Sequence, residues 1–469
     1  MKMIYKISFA ICVALAIFSF VGCDSINGLE GEGESFTVTF ASNGGQFHTT
    51  DGDTPTYSAT VQSGQKVTKP TDPTKNIYTF TSGNSDPTVT KYVFIGWYSD
   101  SELKKRFDFS TTITEDKTLY AKWQTIAKSG ITIGSGNSAV TYEKTEEVIV
   151  IPPEKTGTSK TRVTGSRPSF LDDDAEDNDL GVFWQGRNPT ISPFVMGRYE
   201  VTQKLYKDVM VGNGESVEEE PSICTPATGG DYDLPDVDGD ETQDNRPVEN
   251  ITWYDAVYFC NQLTETLDGD STNCVYNILN ITVTSDHITS ATVTWDKSKS
   301  GYRLPTEVEW EYAARGGEPD IDAWNYMFSG ADSASGKKYS DTFNSGLDAV
   351  GWYGYNTARE DGVTNQDIPG QGSTDRISWG THETGSKGYN ELGLYDMSGN
   401  VAEWCCDIPQ SYIEDDPDGA GVTGTTRAIR GGAWYGDAHK CVVTYRDSAA
   451  PNTKANNIGI RLVRTLPTN

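Results

Sequence analysis

Histidine is nearly missing from this chain, with four residues in 469, at positions 48, 287, 382 and 439. That scarcity argues against a metal centre built from clustered imidazoles. No GxSxG or HExxH segment occurs, so the familiar serine and zinc hydrolase frames have no anchor. Cations are also in short supply, 38 Lys and Arg against 67 Asp and Glu, for a net charge of -29. Phosphate backbones and anionic headgroups need clustered cations, which argues against nucleic acid as a partner and against direct binding to a lipid surface. Cysteine totals eight, with no CxxC pair. Beyond the first 22 residues no run is long and apolar enough to cross a bilayer as a helix.

The N-terminus is the exception. Lys2 and Lys6 precede an apolar run from Ile7 to Val21 that ends at Gly22-Cys23, the pattern of a secretory signal with a lipoprotein-type cleavage site. Residues 1–22 read as signal peptide, Cys23 as the lipidated residue, and residues 23–35, rich in Gly, Glu and Ser, as a lipid-anchored flexible tether. The expected location is extracytoplasmic, at the surface of the cell envelope, with the membrane reached through the lipid alone. Setting aside Cys12 and Cys23 leaves Cys224, Cys260, Cys274, Cys405, Cys406 and Cys441. An even remainder permits disulfides in an oxidising compartment, while Cys260 and Cys405 sit in core-like patterns that suit buried thiols.

From 36 to 124 the chain is strand-rich. Phe36, Val38 and Phe40 alternate ahead of an Asn43-Gly44-Gly45 turn, and Val93, Ile95 and Trp97 alternate likewise. With the terminal LYAKW ending at Trp123, the segment resembles the internalin-type B repeat, or Listeria-Bacteroides repeat. The resemblance implies a small β-grasp-like module of surface proteins, a spacer or adhesion accessory without catalysis. Residues 125–145 read as a linker with one short strand, and the large domain spans 146–465. Within it, 172–179 and 218–244 are acidic, Gly-rich insertions; DYDLPDVDGDETQD fails the spacing of a calcium-binding loop and reads as solvated.

Two helices are legible in the large domain. Thr306 and Glu309 form a capping box just after Pro305, with Gly316-Gly317 as the stop. Thr252 caps another helix that places Ala256, Cys260 and Leu263 on one face. Glu307, Glu309 and Glu311 alternate along the first of these, a spacing read as keeping their carboxylates from converging. The remainder is turn-rich. Five blocks then occur in order: FVMGRYEVTQ from Phe194, RPVENITWYDAVYFCNQL from Arg246, GYRLPTEVEWEYAARGG from Gly301, NELGLYDMSGNVAEW from Asn390, and RGGAWYGDAHKC through NNIGIRLVR, from Arg430 to Arg464. Together they resemble the formylglycine-generating, or sulfatase-modifying-factor, family. The implied fold is α+β, a C-type-lectin-like domain of the formylglycine-generating type preceded by the β-grasp-like repeat.

In that family two cysteines near the C-terminus hold copper and oxidise a substrate cysteine to formylglycine. Laid on the family pattern, Cys441 occupies the second position, Gly436 the first, and Ala433 replaces the serine of RGGS. Two soft thiolates are needed for copper(I) in linear geometry, so copper is not expected and Cys441 is catalytic only if Cys405, Cys406 or His439 supplies a second ligand. The NELGLYDMSGN loop resembles a family segment that holds structural calcium, and Asn390, Gly393 and Glu403 are the positions carried over. The alternative is a metal-free turn network around Glu403 and Asn400. From Tyr435 to Lys440 and from Asp447 to Asn457 the composition is that of a loop, between the Gly431-Gly432 pair and a strand pattern at Ile458, Ile460 and Leu462. It also resembles the diversified segment of retroelement-mutated variable proteins on this fold; the alternative is an ordinary family loop. The resemblance makes Tyr435, Asp437, His439, Asp447, Ser448, Asn452, Thr453 and Asn456 candidates for a protein or glycan ligand. A ligand-binding surface lipoprotein is the favoured reading, against an extracytoplasmic thiol oxidoreductase and a purely structural envelope protein.

Labelled fatty acid is expected to enter the wild-type protein and not Cys23→Ala, which should pass to the soluble fraction; equal labelling of the two would contradict the lipid anchor.

Overall fold

A computed structural model describes residues 34–79, 88–128, 130–142, 144–152, 161–162, 179–183, 189–223, 242–332, 343–357, 380–409, 422 and 424–466. The signal, Cys23, most of the tether, Cys224 and the greater part of both acidic insertions lie outside the described residues.

The alternation near the N-terminus sets the core of the first module. Val38 and Phe40 are fully buried, with Phe36 packed at the edge of the same cluster. Asn43 and Gly44 turn the chain with φ of 48° and 83°, values that suit Asn and Gly. The strand Thr88–Tyr98 departs from simple alternation, because its register against Lys117–Lys128 shifts between Phe94 and Gly96. This bulge sends both Phe94 and Trp97 into the module core and frees Ile95, fully buried, to pack elsewhere. A Cβ on Gly393 of the large domain would lie 3.3 Å from Ile95 Cδ1, so the residue expected to share a face with Trp97 instead docks the module.

The strand Lys117–Lys128 belongs to both modules. Val38–Ala41 runs parallel to its residues 117–120, Thr88–Tyr98 antiparallel to residues 120–125, and Glu147 and Val148 pair with Lys128 and Ile126. The result is a single nine-stranded sheet that continues through Glu147–Val150, Phe194–Gly197, Val463–Thr465 and Tyr302–Arg303. Residues 125–128, read from sequence as the start of a linker, carry the strand onward. Beside them Tyr98 Oη donates to the carboxylate of Glu391, as does Arg106 at 3.2 Å. Glu391 is buried.

Helices pack on the large-domain side. Helix α1 (Gln203–Met210) starts at Thr202 and buries Leu205, Tyr206, Val209 and Met210; α2 (Trp253–Asp268) has a Thr252–Asp255 capping box and a left-handed Gly269 cap; α3 (Glu307–Ala314) has the Thr306–Glu309 box. A short α4 (Ser345–Val350) is capped by Asn344. A separate four-stranded sheet runs in the order Asp447–Ala449, Arg427–Arg430, Ala402–Trp404, Ile458–Gly459. Asp447–Ala449, read as loop, is an edge strand whose backbone pairs with Arg427–Ile429 while Asp447 and Ser448 stay exposed. Ile458, Ile460 and Leu462 are buried as expected, but Arg461 between them is 0% exposed, so this segment is covered on both faces.

Removing the acceptor for Tyr98 and Arg106 leaves two donors under-satisfied at the junction. Glu391→Ala should therefore lower the unfolding free energy by about 2–3 kcal/mol. Denaturant unfolding of the intact chain would show this; an unchanged midpoint would mean the junction does not couple the modules.

Candidate functional site

The site is assembled on α3. Arg430 ends its strand with a buried guanidinium that donates to Glu311 Oε2 at 2.5 Å, to the Val443 carbonyl at 3.0 Å and to the Tyr445 carbonyl. Its Nε lies 3.7 Å from Glu307, which takes two bonds from Arg446 at 2.7 and 2.6 Å. Glu307 and Glu311 are four residues apart and share one helix face. The expectation that the α3 carboxylates do not converge is therefore incorrect; only Glu309 turns aside, to its capping box and to Arg303. Buried charges persist when paired and hydrogen-bonded. These pairs fix residues 443–446 against the helix.

After Arg430 the chain turns on Gly431 and Gly432, with φ of 100° and 68°. A Cβ on Gly432 would lie 2.7 Å from Cys441 Sγ and from the Lys440 carbonyl oxygen, so Gly432 serves both the turn and the close return of the chain. Trp434 is buried and donates from Nε1 to the Asn456 carbonyl at 3.0 Å. Tyr435, beside it, is 50% exposed.

Cys441 lies beneath this turn, fully buried in a cluster with Phe328, Leu347 and Tyr353. Burial pushes its thiol up to about 12. Cys405 and Cys406 sit in two other clusters, where Tyr276 Oη donates to Cys406 Sγ at 3.4 Å and burial pushes the Cys406 thiol up to about 12. His439 is turned to Asp179, with Nε2 2.5 Å from Oδ1. None of the three residues that could have supplied Cys441 with a second soft ligand joins it, and Gly436 offers none. The residues do not fit the family's copper pair. Among the described residues Cys260, Cys274, Cys405, Cys406 and Cys441 are all free thiols, so the disulfides that their number permits are not formed there.

Above the small sheet is a cavity of about 260 Å³. Tyr435, Asp437, Lys440, Tyr445, Asp447 and Asn457 supply its polar and aromatic lining, over Ala402, Ile429 and Ile458. Of the candidates from sequence, Tyr435, Asp437 and Asp447 therefore meet at one cavity. His439 faces Asp179, and its ring lies T-shaped to that of Tyr445 with centroids 4.9 Å apart. Ser448, Asn452, Thr453 and Asn456 lie outside the cavity lining; Asn452 is exposed, and Thr453 donates its N–H to the Ala450 carbonyl. Sequence reasoning missed Tyr445, which falls among buried neighbours, and Lys440 and Asn457, whose segment was flagged though they were not singled out. A second cavity, of about 560 Å³, lies between α2 and the hairpin Tyr276–Trp295. There burial, and next Glu265, push the Cys274 thiol up to about 12.

At the calcium positions the polar groups already have protein partners. Asn390 Nδ2 donates to the Ala313 carbonyl at 2.8 Å and to Ser329 Oγ at 2.9 Å, while its Oδ1 accepts from the Leu392 and Leu394 N–H groups. The Gly393 carbonyl accepts from Arg198 at 3.0 Å. Glu403 accepts from Trp310 Nε1 at 2.7 Å and from Arg461 at 2.7 and 2.9 Å. Protein donors take up the oxygens that a hard cation would need, so Asn390, Gly393 and Glu403 do not fit a calcium ion. The turn-network alternative describes them.

Two further buried carboxylates neighbour Glu403. Glu200 accepts from Asn400 Nδ2 at 2.7 Å and the Val401 N–H at 3.0 Å; Asp396 accepts from the Gly385 N–H at 2.6 Å, and its Oδ1 is buried without a partner. Burial first, then Asp396 and Glu403, raise Glu200 well above the carboxylate range, and burial raises Asp396 to about 6. A carboxyl raised in the folded state contributes stability that is present below its unfolded value near 3.9 and lost as pH climbs through the folded value. For Asp396 that window runs from about pH 4 to about pH 6 and is worth about 3 kcal/mol. Asp396→Asn should flatten the fall in stability across that window; an equally steep fall in the variant would contradict the assignment.

The family profile described as sulfatase-modifying factor enzyme 1-like domain matches residues 138–466, and the Listeria-Bacteroides repeat domain matches residues 36–84 and 81–122. The chain is 30% identical over 295 residues to "Chaperone protein LppX" of Paenibacillus barcinonensis, covering 60% of this chain and 84% of that protein. It is 32% identical over 172 residues to the formylglycine-generating enzyme of Streptomyces coelicolor, covering 34% of this chain and 46% of the enzyme. It is 28% identical over 181 residues to the inactive C-alpha-formylglycine-generating enzyme 2 of Bos taurus, covering 36% of this chain and 48% of that protein. The chain thus spans about half the length of these two formylglycine-generating relatives. Among solved structures, Treponema denticola variable protein 1 aligns with 27% identity and a TM-score of 0.46, covering 72% of this chain and all of that one. The expected α+β, C-type-lectin-like class holds, with the repeat ahead of it.

Proposed function

Because the chain belongs to the sulfatase-modifying factor enzyme 1-like family, whose relatives include proteins named as active and as inactive, we propose that its large domain binds a ligand without oxidising a cysteine. One observation carries this reading: Tyr435, Asp437 and Asp447 meet at the cavity above the small sheet, while Cys441 is sealed beneath it. A reactive cysteine needs thiolate and access, and burial denies Cys441 both. A rigid frame presenting polar and aromatic side chains at a concave surface suits recognition. A purely structural envelope role offers no account of that cavity.

The proposed setting is the cell envelope, with the chain tethered through lipid at Cys23. Among the described residues no helix is long and apolar enough to cross a membrane. The shared strand Lys117–Lys128 makes the repeat a fixed pedestal for the cavity, and the partner sought is a protein or glycan outside the cytoplasm.

Replacing Tyr435, Asp437 and Asp447 together with alanine should change stability by less than about 0.5 kcal/mol per site and abolish binding on a glycan and extracellular-protein array. The wild-type chain, incubated with a cysteine-containing sulfatase peptide, copper and dioxygen, should yield no formylglycine by mass spectrometry. Turnover that is lost in Cys441→Ala, or alanine variants that bind normally, would overturn the reading.

A further inference from the structure

The chemistry of the cavity selects a ligand class, an argument that rests on the binding reading above. Two carboxylates, Asp437 and Asp447, and one ammonium, Lys440, are among the lining residues. Arg430 also reaches the lining, but its guanidinium is held by Glu311 and by the Val443 and Tyr445 carbonyls, so it brings little free positive charge. Asp437 stands at the start of the turn Ala438–Cys441 and makes no side-chain capping bond, which leaves its carboxylate for an incoming donor. Tyr435 and Tyr445 add aromatic surface, and a carboxylate beside an aromatic ring is a setting in which an ammonium or guanidinium gains from both. A net charge of -29 disfavours phosphorylated, sulfated or other anionic ligands. The volume of about 260 Å³ falls below the roughly 300–1,000 Å³ of pockets that enclose whole small molecules, a size suited to one protruding side chain.

We infer that the cavity takes a basic side chain, lysine or arginine, from a partner protein. Asp437 and Asp447 bind its charged head, the tyrosines flank its stem, and Lys440 acts as an internal competitor that weakens the site. This last point separates the inference from other ligand classes, because removing Lys440 tightens binding of a cation and loosens or leaves unchanged that of an anion or a neutral sugar.

Fluorescence anisotropy with the purified mature chain and labelled pentapeptides Gly-Gly-Xaa-Gly-Gly, acetylated and amidated at their ends, tests it. With Xaa as Arg or Lys, binding should be about tenfold tighter than with Gln or Glu, a difference of about 1.4 kcal/mol, and should weaken as salt rises. Asp437→Asn and Asp447→Asn should each weaken the basic peptides about threefold, and Lys440→Gln should tighten them about twofold. Equal binding of the Gln or Glu peptide, weaker binding in Lys440→Gln, or no binding of either basic peptide would overturn the cationic ligand. Tyr435→Ala keeps the two ideas apart. If it abolishes binding to a glycan array while basic peptides fail with the wild type, the cavity binds a ligand and the assigned class is wrong; if it changes no binding at all, the cavity itself is excluded.

Discussion

The arrangement rests on Arg430. Its guanidinium is placed between Glu307 and Glu311 of α3 and the carbonyls of Val443 and Tyr445, so one side chain ties the strand before the Gly431-Gly432 turn to the chain that returns after it. Truncating one member of such a buried pair strands the partner charge and typically costs about 3–5 kcal/mol. The cavity inherits its rigidity from this bond set, since Arg446, next to Tyr445, is held by Glu307 on the same helix face. The exposed residues of the rim are therefore carried by a frame that does not depend on them. On the proposed reading, substitution at Tyr435 or Asp447 should alter recognition with little effect on folding.

The same separation holds at the other end of the molecule. The repeat does not hang from a linker: its last strand, Lys117–Lys128, continues into the sheet of the large domain, and Ile95, Tyr98 and Arg106 dock against Gly393 and Glu391. A short bulge at Phe94–Gly96 makes this possible by diverting Ile95 from the module core. The module meant to be a spacer thus orients the large domain, and both halves resist the tilting that a flexible joint would allow.

Much of the fold was legible in the sequence because it is written in local rules. The Thr252 and Thr306 caps, the Asn43-Gly44 turn and the buried Val38 and Phe40 each follow from a short pattern. What was hidden depends on contacts distant in sequence or on a period misread. Glu307 and Glu311 were judged by their alternation with Glu309, although four-residue spacing places them on one face and 119 residues separate Glu311 from Arg430. Arg461 was lost among apolar neighbours because its partner, Glu403, lies 58 residues away. Asp447–Ala449 looked like loop because an edge strand with polar side chains pairs only through its backbone. At the candidate site, composition marked the segment as loop and the resemblance to the variable proteins singled out Tyr435, Asp437 and Asp447; that His439 turns to Asp179 was not legible, since Asp179 is 260 residues distant.

The central claim is that this family member keeps its surviving cysteine as core and works through the surface above it. Alkylation of the native chain with iodoacetamide, followed residue by residue by mass spectrometry, tests this most directly. The account predicts that Cys441 is modified only as fast as the chain unfolds, because its thiol is fully buried and pushed up to about 12. Rapid, saturable modification of Cys441 in the folded protein near neutral pH, suppressed by copper(I), would contradict it.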